Sequence, residues 1–142
     1  MKQPSKPKLL LICKNFFVQA NNLALLGDDF SVMKAVFFMD YAIEQMLNIL
    51  IMDFGSDEDF KNHEIKWNTL WQKVTKAIKD ETSIKMNRIP NYKQLKELRD
   101  IRNGLQHNGT IPRADQVSRL VNPAKEILSE CFSKCYGFDL DN

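Results

Sequence analysis

At 142 residues the chain has the length of one domain, enough to bury a core without disulfides or a metal. An apolar fraction of 44% against 27% charged excludes wholesale disorder, and a formal charge of +2 points to no partner by itself. Three cysteines, Cys13, Cys131 and Cys135, are odd in number and too scattered for a disulfide framework, so reduced thiols in a cytoplasm are expected.

The first seven residues are polar, carry two prolines and are expected to be loose. Lys2, Lys6 and Lys8 ahead of Leu9-Leu10-Leu11-Ile12-Cys13 imitate a secretion signal, but Lys14 ends the apolar run well short of the roughly 7 to 15 residues a signal core needs. No membrane partner is expected. From Lys8, the positions Leu9, Ile12, Cys13, Phe16, Ala20, Leu23 and Ala24 recur at three and four and describe one helix face. Gly27-Asp28-Asp29 stops that helix, and an aspartate there can cap the next.

The second helix, over about Phe30 to Phe54, is apolar nearly all round and is predicted to be the central member of a bundle, or to face another subunit. Asp40 and Glu44 stand at i, i+4 on it. They read as facing solvent, a cleft or a basic partner, with a plain solvent-facing pair favoured. Gly55 to Asn62 reads as an acidic turn. A third helix is expected from about His63 to Lys79, burying Trp67, Leu70, Trp71, Val74, Ala77 and Ile78, with His63 as an exposed helix-start residue.

Glu81 to Asn91 contains Pro90 and reads as a loop. A fourth helix, about Tyr92 to His107, is predicted to bury Leu95, Leu98, Ile101 and Leu105 and to stop at Asn108-Gly109. Thr110 is expected to cap a fifth helix with Pro112 in its first turn. Val117, Leu120, Val121, Ala124, Ile127, Leu128, Cys131, Phe132 and Cys135 keep phase across Asn122-Pro123, which predicts one kinked helix closed by Gly137. Cys131 and Cys135 share a face there; with no histidine near them they read as core and not as zinc ligands. The fold class expected is all-α, an up-and-down bundle of four to five helices, with the domain spanning 8–137 and a flexible tail over 138–142.

Charge is unevenly placed. Asp28 to Phe60 holds eight acids and one base, net −7, whereas Lys85 to Arg119 holds eight bases and three acids, net +5. A positive surface in the second segment would attract a polyanion; equally, it can be a solvated face that pairs with the acidic segment.

Within the basic part stands Leu98-Arg99-Asp100-Ile101-Arg102-Asn103-Gly104-Leu105-Gln106-His107-Asn108-Gly109. A fixed cation at Arg102 suits a phosphate, and an imidazole at His107 suits proton transfer near neutral pH. The arrangement Arg102-Asn103-x-x-x-His107, late in a small helical chain with an acidic helix upstream, resembles the HEPN family, whose signature is an Arg, four to six residues, then a His. The resemblance covers roughly Phe30 to Tyr136. It implies a helical, dimer-forming domain and a metal-independent endoribonuclease that needs no cofactor and leaves a 2′,3′-cyclic phosphate. Arg102, His107 and Asn103 would be catalytic, with Glu44 or Asp40 as a supporting acid; Arg99 and Arg113 would hold RNA. Family settings are toxin-antitoxin, CRISPR-linked and antiphage systems, where an antitoxin or sensor protein restrains the activity.

On a helix turning about 100° per residue, Arg102 and His107 lie about 140° apart, so one straight helix does not face them toward each other. Two remedies are open: the helix loosens around Gly104 and Asn108-Gly109, or a twofold partner brings a second Arg102 and His107 into the same cleft. The alternative function is a HEPN-like module that binds RNA, a nucleotide or a protein without cleaving. Helix-turn-helix DNA binding is disfavoured, because the helices are long and no short turn precedes a basic recognition helix.

Overall fold

A helix that is apolar on almost every side has to be covered on almost every side, and this requirement sets the architecture. The computed structural model describes residues 6–56, 66–86 and 88–140. Among these the chain is all-α, with five helices in the order α1 (Lys6–Leu26), α2 (Asp29–Phe54), α3 (Trp67–Asp80), α4 (Tyr92–Asn108) and α5 (Ala114–Tyr136), and no strand. The other four helices all pack on α2; α5 also touches α1 and α4. Val36, Met39, Ile43, Met46, Leu47 and Leu50 of α2 are fully buried, and Leu98 of α4 with Ile127 and Leu128 of α5 close over them. By length and composition α1 and α2 are both apolar enough to cross a membrane, but most of the apolar stretch of α2 is enclosed by the bundle, whereas α1 is largely uncovered.

The helix ends follow from local chemistry. Asp28 accepts a hydrogen bond from the Ser31 backbone N–H at 3.0 Å and caps α2 as expected. α1 begins at Lys6, two residues early, since Pro7 is well suited to a first turn that needs no N–H. The expected start of the third helix at His63, and the reading of His63 itself, lie outside the described residues. Gly109 and Gly137 take the left-handed conformation at φ 65° and 69° and end α4 and α5, as the sequence predicts.

Two expectations need correction. Thr110 does not cap α5: its N–H donates to the Gly104 carbonyl at 3.2 Å and completes the end of α4, so α5 starts only at Ala114, with Arg113 as the cap residue and no side-chain cap bond. Pro112 therefore precedes the helix instead of opening it. Residues 138–140 of the expected tail fold back on the bundle, while the last two lie outside the described residues. The Phe138 N–H donates to the Phe132 carbonyl at 2.9 Å, and Leu140, 5% exposed, returns to the core.

α5 runs as one helix through Pro123, as the unbroken apolar phase predicts. The Pro123 carbonyl accepts a hydrogen bond from Asn91 Nδ2 at 3.1 Å, which ties the start of α4 to the middle of α5. Asn91 holds φ 67° and is the only described non-glycine residue with positive φ. Asparagine tolerates this region, and its side chain is well placed to use it. Asn91→Ala loses the bond and leaves a β-carbon in the left-handed region without the short polar side chain that lets asparagine tolerate it, so it is expected to cost about 2 kcal/mol in denaturant unfolding. Asn91→Gly loses only the bond and is expected to cost about 1 kcal/mol; equal costs would contradict the backbone argument.

Candidate functional site

The site grows out of one helix crossing. Leu95, Leu98 and Leu105 bury the inner face of α4, and Arg99 and Arg102, three residues apart, share the adjoining face that overlies α2. Opposite them on α2 stand Asp40 and Glu44. Arg99 Nη1 reaches Asp40 Oδ2 at 2.6 Å and Glu44 Oε2 at 3.2 Å, and Arg102 Nε lies 3.8 Å from Asp40 Oδ2. The solvent-facing reading of the two acids fails for Asp40, whose side chain is 4% exposed. It fails because α4 lies across that face of α2 and supplies the basic partner. Glu44, at 35%, stands at the edge of the same cluster.

Arg99, 16% exposed, is turned inward by this pairing and acts first as the counter-ion of a dry carboxylate. Burial pushes the Asp40 carboxyl above the ordinary carboxyl range; the Arg99 and Arg102 cations offset only part of that, and Glu44 adds to it.

Arg102 differs from Arg99 in being 26% exposed and only loosely held by Asp40. Its Nη1 donates to Asn103 Oδ1 at 3.0 Å, which leaves the Asn103 amide group as a donor. The guanidinium borders a pocket of about 250 Å³ that is also lined by Phe16, Phe37, Phe38, Asp40, Tyr41 and Glu44. The Phe16 ring meets the edge of Phe38 at 5.4 Å and Tyr41 at 4.6 Å, so the pocket has an aromatic wall beside a cation.

His107 is exposed in the last turn of α4, and no hydrogen bond or ion pair engages it among the described residues. The helix is continuous from Tyr92 to Asn108 through Gly104, so the first of the two open remedies, a loosening around Gly104, is not present. The chain thus brings Asp40, Glu44, Arg99, Arg102 and Asn103 together and leaves His107 apart from them. Arg113 is further off in function: it is largely exposed and pairs with Asp115 at 3.3 Å, a surface contact of little energetic weight.

The Asp40–Arg99 pairing is what sequence reasoning missed. Its signal is the matched spacing, two acids at i, i+4 on an apolar helix and two arginines at i, i+3 on a basic one. Comparisons with protein-family models, with curated proteins and with solved structures give no match.

A carboxyl whose folded pKa is raised contributes stability that is full below its unfolded pKa, about 3.9, and lost as pH rises through the folded value. The stability difference between the parent chain and Asp40→Asn is therefore expected to move in favour of the variant as pH rises from about 4 to about 7. Denaturant unfolding across that range checks it. A parent chain that gains on the variant with rising pH would show that the two arginines, and not burial, dominate.

Proposed function

We propose that this chain is a HEPN-type, metal-independent endoribonuclease of the cytoplasm, working in a defence or toxin-antitoxin setting, whose active site is completed by a second copy of the chain. The observation that carries the reading is Arg102: a guanidinium steadied by Asn103 and Asp40 at the mouth of an aromatic pocket, one turn before an unencumbered His107. A phosphate at that mouth would meet a bidentate donor and a base would meet aromatic faces.

The helix geometry supports the dimer. Arg102 and His107 stand on different faces of an intact α4, so proton transfer and phosphate binding at one linkage need groups from two chains. Phe30, Phe37 and Tyr41 recur along α2 at seven and four residues, with Phe30 exposed at the start of the helix and Tyr41 exposed at the Arg102 pocket, and give an apolar face for the partner to cover.

In such a cleft a neutral His107 takes the proton from a ribose 2′-hydroxyl, and that oxygen attacks the adjacent phosphorus. The bond to the 5′-oxygen breaks as the second His107, protonated, donates to it, leaving a 2′,3′-cyclic phosphate and a 5′-hydroxyl. Arg102 and the Asn103 amide stabilise the charge on the phosphoryl oxygens. Asp40, Glu44 and Arg99 act as positioning residues, because they hold α4 on α2. Arg113, free to exchange its exposed aspartate for a phosphate, extends the RNA contact. An antitoxin or sensor protein would restrain the activity.

A second reading has one observation in its favour. Among the described residues no hydrogen bond or ion pair orients His107, as a module that binds a nucleotide without cutting it would allow.

The test is cleavage of a broad RNA panel in EDTA, with the ends analysed for 2′,3′-cyclic phosphate. His107→Ala and Arg102→Ala are each expected to slow cleavage by about 10² to 10⁴ without loss of helical content, and DNA is expected to resist. A purified, dimeric chain that leaves the whole panel intact establishes the binding module instead.

A further inference from the structure

At the other end of α4 is a larger cavity that the ribonuclease reading does not use. It has a volume of about 840 Å³ and lies between α3 and the start of α4. Its rim carries Lys76 and Lys79 from α3, Arg88 from the preceding loop and Lys93 from α4, and no acidic side chain lines it. All four cations are exposed, and none of them has an ion pair among the described residues. Some bases outside the cavity are answered within their own helix, Lys96 by Asp100 at 2.7 Å and Lys134 by Glu130 at 2.7 Å. Four unanswered like charges around one concavity repel each other unless an anion enters.

The wall of the cavity is aromatic, and it is fixed. Tyr92, 40% exposed, stands edge-on to Trp71 at 5.4 Å and tilted 32° to Trp67 at 6.0 Å, while its hydroxyl donates to Asn68 Oδ1 at 3.3 Å. One ring is thus held from behind with part of its surface open. The first turn of α4 adds to the field: Asn91 gives its side chain to Pro123 and does not cap the helix, so the positive end of a 17-residue helix meets the cavity uncapped by a side chain.

We propose that this groove binds single-stranded nucleic acid, with Lys76, Lys79, Arg88 and Lys93 along the phosphodiester backbone and a base stacked on Tyr92. Cations spaced around a cleft track successive phosphates, and an aromatic face accepts any base, so the groove is indifferent to sequence. Phosphates and base faces are common to RNA and DNA, so both bind. Tyr92 and His107 are fifteen residues apart on one helix, about 22 Å along its axis, so a strand held here is held outside the cleavage site.

The test is fluorescence anisotropy with labelled oligo-uridine and oligo-thymidine of about 12 nucleotides, a length within the range of known single-strand sites. Oligo-thymidine, which the ribonuclease reading leaves uncut, is expected to bind the parent chain, and both oligomers are expected to bind His107→Ala, so the groove variants are compared on these backgrounds. The double variant Lys76→Glu/Arg88→Glu, at exposed positions, is expected to bind at least about tenfold more weakly and to show a log affinity against log salt slope shallower by about 1.4. Tyr92→Ala is expected to lose about fivefold or more, and Tyr92→Phe to keep binding. The proposal is overturned if neither oligomer binds, if the double variant binds like the parent, or if Tyr92→Phe loses as much as Tyr92→Ala. Binding without cleavage leaves this inference standing and removes the ribonuclease; cleavage with unchanged affinity in the groove variants does the reverse.

Discussion

Asp40 is a carboxyl placed in the middle of the most apolar helix of the chain, and the structure is arranged so that it does not lie there alone. A buried carboxylate without a partner is too costly to keep, and of the described residues it is Arg99 that reaches it closely, at 2.6 Å. That contact fixes more than a pair of side chains. It favours the register of α4 on α2 in which the Arg99 guanidinium meets Asp40 and Glu44 together. Arg102, one turn on, is thereby brought to the edge of the same cluster, where it is held loosely enough to meet something else.

The two charged segments are thus partly each other's counterparts. Arg99 and, more weakly, Arg102 are answered by the acidic helix, and Lys96 by Asp100 within its own helix. Two groups of the remaining bases stand toward the two ends of α4. One end carries Arg102 and His107, and the other opens into the cavity rimmed by lysines and Arg88. A rigid helix, capped at Gly109 and pinned through Asn91 to α5, keeps the two regions a fixed distance apart.

Much of the fold was legible because helix period and cap chemistry are local. Asp28, Gly109 and Gly137 end or begin helices where their side chains, or lack of one, dictate, and the apolar phase across Pro123 showed a single helix. The misplaced start of α5 shows the limit: Thr110 is a good cap residue by type, but its backbone belongs to the close of α4, and α5 begins only at Ala114, a boundary that propensity alone does not reveal. The burial of Asp40 was illegible for a deeper reason. Periodicity tells that a residue sits on a given face of α2, not which helix covers that face. Arg102, Asn103 and His107 could be picked out by residue type and spacing, whereas the Tyr92 cavity draws on residues from three separate segments that only folding assembles.

The claim on which these arguments converge is that Asp40 and Arg99 act as one unit to seat α4 on α2. A double-mutant cycle measures this directly, with Asp40→Asn and Arg99→Met made singly and together and unfolding free energy as the readout. A coupling of about 1.5 kcal/mol or more is expected, the double variant being more stable than the sum of the single losses implies. Losses that add to within about 0.5 kcal/mol would contradict the account, since the two groups would then contribute independently and α4 would owe its place to apolar packing alone.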